Sequence, residues 1–293
     1  MPKKTILISG INGQLGQKVK EALLHNNHFN VVGLDIDELD IISRRQVEEK
    51  LQEIRPDVLI NCSAYTDVDN AENEKEMALK VNQKGPLVLA EKCKMFDVFL
   101  IHISTDYVFS GEGFRPYIEN DPIRPVNFYG ETKALGEESI QKTYSNAIII
   151  RTAWLYSEYG KNFVKTMLRL GGERKQLGVI DDQVGSPTYA GDLADAINAI
   201  TIQYLNDDDF ARGIYHFTNE GVCSWFDFAL KIQQIANNRV KVNPIPTSDY
   251  PTPAKRPHYS VLDKRKIKNQ FHIAIPHWEA SLANCIEVLK KSN

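Results

Sequence analysis

Residues 6–19 read ILISGINGQLGQKV and place a short apolar run, a glycine-rich turn and the start of an amphipathic stretch one after another. Gly10, Gly13 and Gly16 give the spacing G-x-x-G-x-x-G. Glycine is needed where the backbone bends tightly or where a phosphate approaches it, and the helix that follows offers unpaired amides to an anion. The stretch therefore predicts a strand, a dinucleotide-binding turn and a helix. A loop that only turns the chain is the alternative.

The same alternation continues through the first half of the chain. The apolar runs NVVGLD, PDVLINC, VFLIHIS and AIIIRT are separated by amphipathic stretches. Short runs rich in Ile, Val and Leu suit parallel strands that are covered on both faces. The pattern predicts an α/β protein in which residues 1–155 form a Rossmann-type, doubly wound parallel sheet that binds a dinucleotide.

Residues 156–293 lose this regular alternation. They predict a smaller, mainly substrate-binding region, from which some segments can return to the Rossmann domain. Residues 243–259, NPIPTSDYPTPAKRPHY, are rich in proline. Because proline fixes φ and lacks an N–H donor, this segment predicts an ordered wrapping loop rather than a sheet strand.

Composition narrows the classes of function. The 293 residues carry a formal charge of -3, which leaves no basic surplus for nucleic acid or an anionic membrane. No apolar run is long enough for a membrane span or a secretory signal, which predicts a cytoplasmic protein. The four cysteines, at positions 62, 93, 223 and 285, are far apart and predict reduced, packed thiols. No His or Cys group has zinc spacing, so no metal site is predicted.

Two motifs carry candidate catalytic residues. NFYGETKALGEE, residues 127–138, sets Tyr129 and Lys133 four positions apart, on one face of a predicted helix. An ammonium group beside a phenol is expected to lower the pKa of the phenol and so help it to move a proton. HISTDYVFSG, residues 102–111, places Thr105 at the carboxyl end of a strand, where its hydroxyl can donate to a substrate carbonyl. Together these groups predict hydride transfer with a nicotinamide cofactor. His102, earlier in the strand, is predicted to be a core histidine.

Asp35 follows the second predicted strand. A carboxylate there can accept hydrogen bonds from an adenosine ribose and repels a 2′-phosphate, which favours NADH over NADPH. The alternative is a turn residue at the end of a strand.

The motifs GINGQLG, STDYVF and YGETK together resemble those of the extended short-chain dehydrogenase/reductase superfamily. The likeness continues through PDVLINCSAYTDVDNAE, RTAWLY, NFVKTML, VIDDQVGSPTYAGDLA and YPTPAKRPHYSVLD, from residue 6 to about residue 263. Jointly these segments resemble the family of dTDP-4-dehydrorhamnose reductases. The resemblance implies reduction of the C4 ketone of dTDP-4-dehydro-β-L-rhamnose by NADPH or NADH, the last step of dTDP-L-rhamnose synthesis.

The resemblance also implies roles for residues at matching positions. Tyr129 would be the proton donor, Lys133 its partner and Thr105 the hydroxyl that tunes the tyrosine. Thr105, Asp106 and Trp154 would contact the sugar, and the paired donors of Arg256 suit a pyrophosphate. A core tryptophan and a surface arginine are the alternatives for the last two. Cofactor contacts are expected from the glycine turn, the loops after the second and third strands, and the catalytic pair: Gly10, Gly13, Gln14, Leu15, Gly16, Asp35, Asp40, Ile41, Ala64, Tyr65, Thr66, Tyr129 and Lys133.

Two other functions stay open on the sequence alone. A nucleotide-sugar epimerase shares the Tyr and Lys, whereas a dehydratase of the superfamily would carry Glu at the position of Tyr107. A non-catalytic, NADP-binding regulatory subunit of the methionine adenosyltransferase type is similar in fold and motifs. Some members of the resembled family are dimers bridged by magnesium, which makes a homodimer an expectation. No acidic cluster for the metal can be placed in this sequence, so metal dependence and oligomeric state stay open, as does the glycan that receives the sugar.

Overall fold

The computed structural model describes residues 3–25, 27–207 and 210–291. The strands, β1 to β12 in chain order, are Lys4–Ser9, Phe29–Leu34, Val58–Asn61, Phe99–Thr105, Ala147–Thr152, Leu155–Tyr156, Gln176–Ile180, Val184–Gly185, Thr188–Tyr189, Gly213–His216, Cys223–Ser224 and Lys241–Ile245. The α-helices, α1 to α10, are Gln14–Leu24, Arg44–Ile54, Lys75–Leu79, Gly85–Phe96, Phe128–Thr143, Phe163–Glu173, Ala190–Asn206, Trp225–Ala236, Arg265–Phe271 and Trp278–Lys291. None of the described helices is both long enough and apolar enough to span a bilayer.

Six parallel strands form the central sheet in the order β10-β5-β4-β3-β1-β2. After β1 the chain forms β2 on one side of β1, and it then crosses to form β3 on the other side of β1. The strand order therefore reverses between β1 and β3, which opens a crevice at the carboxyl ends of these strands. The predicted doubly wound parallel sheet is confirmed. β10 comes from the C-terminal half of the chain, and the division between residues 155 and 156 stays a prediction.

The apolar run of β1 is buried on both of its faces. Ile6 and Ile8 belong to the cluster that contains buried residues of α1 and α7, whereas Leu7 belongs to the opposite cluster with residues of α2 and α4. Successive side chains of a strand point to opposite faces of the sheet, so a strand between two helical layers needs apolar residues at every position. This arrangement accounts for the continuous run ILI.

The C-terminal region builds its own core beside the carboxyl edge of the sheet. α6, α8 and α10 pack with the two-stranded pair β7 and β12 around a third cluster, which includes Tyr156, Phe228 and Trp278. The two shorter pairs, β6 with β9 and β8 with β11, lie in the same half of the chain. This second core supports the loops that face the crevice.

The prediction of a loop for residues 243–259 was wrong at the start of the segment. Residues 243–245 are the last three of β12, which pairs in parallel with β7, and Pro244 stands opposite Val179. A strand with one neighbour tolerates proline because the missing N–H removes no hydrogen bond on its unpaired side. The rest of the segment is irregular apart from one short 3₁₀ turn at Thr247–Asp249.

A buried ion pair holds α5 on the sheet. Glu137 and Arg151 are 0% and 1% exposed, and Arg151 Nη2 donates to Glu137 Oε2 at 2.6 Å. The Ser104 hydroxyl donates to Glu137 Oε1 at 2.5 Å. These contacts join α5 to β5 and β4, and they set the height and rotation of the helix above the carboxyl end of the sheet.

We predict that Glu137→Gln destabilises the fold by about 3–5 kcal/mol, because it leaves the Arg151 charge buried and unpaired. The matched control is Glu138→Gln, which removes the next carboxylate of α5 from an exposed pair with Lys142 and should change stability by less than about 1 kcal/mol. Urea unfolding of the two variants measures both values. Equal losses would contradict a dominant role for the buried pair.

Candidate active site

The glycine turn is closely packed and leaves the N-terminus of α1 open. Gly10 has a φ of +74°, and a Cβ on it would lie 2.8 Å from the Ser63 backbone nitrogen. A Cβ on Gly16 would lie 2.2 Å from the Gly10 carbonyl oxygen. Gly13 is the N-cap of α1 and gives no side-chain cap to the first amides of the helix. These amides can bind an anion, so the turn fits the pyrophosphate of a dinucleotide.

A cleft of about 550 Å³ lies at the carboxyl ends of β1, β3, β4 and β5. It brings the three candidate catalytic residues together with many of the expected ligand contacts. The residues that line it are Gly13, Gln14, Leu15, Cys62, Ala64, Thr66, Ile103, Ser104, Thr105, Asp106, Tyr129, Lys133, Thr152, Ala153, Trp154, Leu155, Gly160 and Lys161.

Tyr129 enters the cleft from the first turn of α5. The side-chain oxygen of Asn127 caps this helix by accepting from Gly130 N at 2.8 Å, and the Asn127 amide donates to the Lys255 carbonyl at 2.8 Å. Burial raises the pKa of Tyr129 above its ordinary value, and a hydrogen bond with Thr105 opposes the rise. The phenol therefore keeps its proton at neutral pH, as a general acid must.

Lys133 lies one turn further along α5 and is 2% exposed. Its Nζ donates to the Ile103 carbonyl at 2.7 Å and lies 3.4 Å from His102 Nε2. Burial lowers the pKa of Lys133 to about 8. The expectation that this amine lowers the pKa of Tyr129 was wrong for this structure, because loss of hydration dominates both groups and disfavours both charged forms.

Thr105 and Asp106 share a hydrogen bond at the end of β4. Thr105 Oγ1 lies 2.9 Å from Asp106 Oδ1, whereas Asp106 Oδ2 is buried without a hydrogen-bond partner. Burial raises the pKa of Asp106 to about 7. A hydroxyl has one proton and donates one hydrogen bond. When Asp106 is charged, Thr105 donates to its carboxylate, and when Asp106 is neutral, Thr105 can donate to a ligand.

Trp154 forms an aromatic wall of the cleft. Its backbone φ is +48°, a conformation that is rare for a bulky side chain and costs about 1–3 kcal/mol. The indole stacks on Trp225 with 3.6 Å between ring centroids and an angle of 9°. It also lies over Gly185, where a Cβ would come within 2.7 Å of the ring. The surroundings therefore hold the indole in one orientation, with part of its surface open to the cleft.

Two of the expected ligand contacts already have partners within the chain. Asp35 accepts from the Asn12 backbone amide at 2.8 Å, which places its carboxylate beside the glycine turn but outside the cleft lining. Arg256 donates from both Nη atoms to the carboxylate of Asp69, at 2.9 and 2.8 Å. A pyrophosphate at Arg256 would have to share or replace this bidentate pair.

Five other expected contacts lie outside the cleft lining: Gly10 and Gly16 shape the glycine turn, and Asp40, Ile41 and Tyr65 make contacts within the fold. Asp40 accepts from the Ile42 backbone amide at 3.1 Å, and Ile41 is 4% exposed within the cluster on the α2 side of the sheet. The Tyr65 hydroxyl donates to Glu74 at 2.8 Å. In the described part of the chain, no three or more His, Cys, Asp and Glu residues are grouped so that they could hold a metal ion.

Sequence reasoning missed two residues of the site. Asn82 is 1% exposed in the π-helical segment Lys80–Lys84, and its side chain bonds both the Tyr65 backbone and the Thr132 hydroxyl, which ties the loop after β3 to α5. Only its polarity within a helical stretch could have marked it. Lys161 also lines the cleft, and its place after Gly160 in an otherwise loop-like stretch was the one available signal.

The chain as a whole is similar to several known proteins. Residues 4–291 match the family model described as the RmlD substrate binding domain. A dTDP-4-dehydrorhamnose reductase of Aggregatibacter actinomycetemcomitans is 43% identical over 95% of this chain and 97% of its own length. The crystal structure of dTDP-4-dehydrorhamnose reductase from Bacillus anthracis str. Ames in complex with NADP superposes with a TM-score of 0.92 at 40% identity, over 98% of this chain and 99% of that one. A Thermus thermophilus UDP-glucose 4-epimerase in complex with NAD has a TM-score of 0.81 at 20% identity, over 99% and 100% of the two chains, which shows a shared fold.

We predict that Asp106→Asn gains stability over the parent chain as the pH rises. The folded pKa of Asp106, about 7, lies above its ordinary value of 3.8, so the parent chain loses stability as the pH rises from about 4 to about 7. The variant lacks this loss. Between about pH 4 and pH 8, its free energy of unfolding should rise relative to that of the parent by on the order of 2–4 kcal/mol. Urea unfolding at several pH values measures the gain. The control is Asp97→Asn, which makes the same change at an exposed carboxylate, and parallel curves for Asp106→Asn and the parent would count against a buried carboxyl with a raised pKa.

Proposed function

The chain belongs to the RmlD substrate binding domain family, and from that membership we propose that it reduces the C4 ketone of dTDP-4-dehydro-β-L-rhamnose to dTDP-L-rhamnose with NADPH or NADH. The observation that carries the proposal is that Thr105, Tyr129 and Trp154 line the same cleft as the glycine turn. One ligand pair can thus meet a proton donor, a hydroxyl, an aromatic wall and a phosphate-binding turn.

The residues of the turn and of α5 suit a nicotinamide dinucleotide. Gly13 and the first amides of α1 would hold its pyrophosphate, and the Lys133 amine would hold a ribose hydroxyl in the cleft. When bound, the reduced nicotinamide supplies the hydride. The protein's task is then to place the ketone and to stabilise the charge that develops on its oxygen.

Tyr129 supplies the proton in this proposal. Hydride addition turns the carbonyl oxygen into an alkoxide, which is a far stronger base than a phenolate. Because burial keeps the Tyr129 phenol protonated, the proton moves only when that charge develops. Thr105 donates a second hydrogen bond to the same oxygen when Asp106 is neutral and leaves the threonine proton free.

Trp154 and Arg256 bear on the rest of the substrate. The part of the Trp154 indole that lines the cleft would pack against the apolar side of the deoxysugar, including its methyl group. Arg256 would reach the pyrophosphate of the dTDP group if its pair with Asp69 opens, because a phosphate offers the guanidinium the same bidentate geometry as a carboxylate.

The epimerase and the non-catalytic subunit differ from a reductase in what they do to the cofactor. An epimerase restores its cofactor in each cycle, and a binding subunit leaves it unchanged. We expect the purified chain to oxidise one NADPH or NADH for each molecule of dTDP-4-dehydro-β-L-rhamnose. The absorbance of the reduced nicotinamide measures this oxidation. Tyr129→Phe should lower turnover by about 10²- to 10⁴-fold while the cofactor still binds.

Tyr144→Phe is the control for this test, because it removes the same hydroxyl at the C-terminal end of α5. Its turnover should match that of the parent chain. Lack of net cofactor oxidation by the folded parent would favour one of the two rivals, and near-normal turnover of Tyr129→Phe would remove the phenol from the mechanism.

We predict that Asp35→Asn raises the ratio of kcat/KM with NADPH to kcat/KM with NADH by roughly tenfold. The substitution keeps an acceptor for the Asn12 amide and removes a charge that repels a 2′-phosphate, and a repulsion of about 1–2 kcal/mol corresponds to that factor. Steady-state rates with both cofactors measure the ratio. Asp97→Asn removes the same charge just before β4, at the amino-terminal ends of the strands and away from the cleft, and should leave the ratio unchanged. An unchanged ratio for Asp35→Asn would place the 2′-hydroxyl away from Asp35.

A further inference from the structure

Four buried polar side chains connect the end of β1 to the catalytic helix. The Ser9 hydroxyl donates to Asn61 Oδ1 at 2.8 Å, Asn61 Nδ2 lies 2.9 Å from His102 Nδ1, and His102 Nε2 lies 3.4 Å from Lys133 Nζ. All four residues are no more than 2% exposed. His102 is thus a core histidine, as predicted, but it also contacts a residue of the active site.

The orientation of the Asn61 amide is fixed by the backbone. The Ser63 N–H donates to Asn61 Oδ1 at 3.0 Å, and a backbone N–H can only donate. The side-chain oxygen must therefore face Ser63, which turns the Asn61 NH₂ group towards His102. An amide flip would set two donors against each other at Ser63.

The amide in turn fixes the tautomer of His102. Its Nδ1 accepts from Asn61 and so carries no proton. Burial, together with the nearby Lys133 charge, lowers the pKa of His102 well below its ordinary value, so the ring is neutral. A neutral imidazole carries one proton, which must then be on Nε2, the atom that faces Lys133.

An N–H at this place distinguishes between the two forms of Lys133. The uncharged amine has a lone pair that accepts from His102 Nε2–H, whereas the ammonium has only donors. The Ile103 carbonyl, 2.7 Å from Nζ, accepts from either form. The ring therefore favours the uncharged form, and the carbonyl keeps Nζ at the edge of the cleft.

We propose that His102 is a positioning residue for Lys133. The His102 Nε2–H donates to the Lys133 amine, holds it beside the cleft and stabilises its uncharged form. This inference rests on the proposed function for its meaning in catalysis. Each turnover takes one proton from Tyr129. The Lys133 ammonium then gives one proton to the Tyr129 phenolate, which restores the phenol and leaves an amine, and solvent later returns one proton to Nζ, so the count of protons closes.

Few other charges act on this pair. From α5, Glu137 attracts the ammonium form, but its carboxylate is shared with Arg151 of β5 and Ser104 of β4. Tyr129 is kept neutral by burial. β3 presents the uncharged Asn61, and the residue of β5 opposite His102 is the apolar Ile149. His102 is therefore the polar side chain that contacts the amine directly, with 3.4 Å between Nε2 and Nζ.

Nuclear magnetic resonance on the ligand-free, ¹⁵N-histidine-labelled full chain tests the tautomer without any activity. We expect the His102 ring to show one protonated nitrogen, Nε2, and one unprotonated nitrogen, Nδ1, at neutral pH. The spectrum of His102→Gln identifies the signal by its loss. A proton on Nδ1, or a doubly protonated ring, would overturn the proposal.

The pH profile of kcat tests the effect on Lys133. His102→Asn places an acceptor near Asn61 but no donor near Nζ, whereas the longer His102→Gln can present an amide N–H to the amine. One limb of the profile reports the ionisation of Lys133. We expect the apparent pKa of this limb to rise by about one pH unit or more in the Asn variant and to stay within about half a unit of the parent value in the Gln variant. Identical limbs in the parent and both variants would overturn the proposal.

A variant that fails to fold and a failure of the proposed function can each be recognised. Thermal unfolding shows whether each variant folds, and if the Asn variant does not, the tautomer of the parent chain still decides the proposal. If the parent chain has the expected tautomer but oxidises no cofactor with the dTDP-keto-sugar, the proposed function fails and the assignment of His102 to Lys133 remains.

Discussion

The buried pair of Glu137 and Arg151 is the interaction on which the site depends. Tyr129 and Lys133 lie on the first half of α5, whereas Thr105 lies on β4, so their convergence requires that the helix neither slide nor rotate over the sheet. Glu137 meets both Arg151 and the hydroxyl next to Thr105, that of Ser104. An apolar contact would fix the distance between the layers, but a bidentate, fully buried ion pair also fixes direction.

The enclosure that this packing creates explains the electrostatics of the cleft. Burial raises the pKa of Tyr129 and Asp106 and lowers that of Lys133, so all three groups are moved towards their neutral forms. Water that would stabilise isolated charges is replaced by a few oriented dipoles. A site of this kind suits a reaction in which charge develops transiently on a substrate oxygen, because preorganised donors act strongly there.

The C-terminal half completes the site by attachment to the helix of the glycine turn. Asn162 donates to Gln14 at 2.9 Å, and Lys18 of α1 pairs with the partly buried Glu158 at 2.8 Å. The same half supplies Trp225, the stacking partner of Trp154. The overall fold is shared with an epimerase. The residues of the C-terminal half that pack beside the cleft therefore determine which ligand it can bind.

The sequence by itself determined the parallel sheet, the glycine turn and the place of Tyr129, because period, turn chemistry and helix caps are local properties. Only the tertiary structure decided that Arg256 binds Asp69, that Trp154 is held at a positive φ, and that His102 meets Lys133. It also decided the pKa of Tyr129. Hydration and pairing depend on segments that are distant in the chain and adjacent in space, and no local pattern of residues encodes that adjacency.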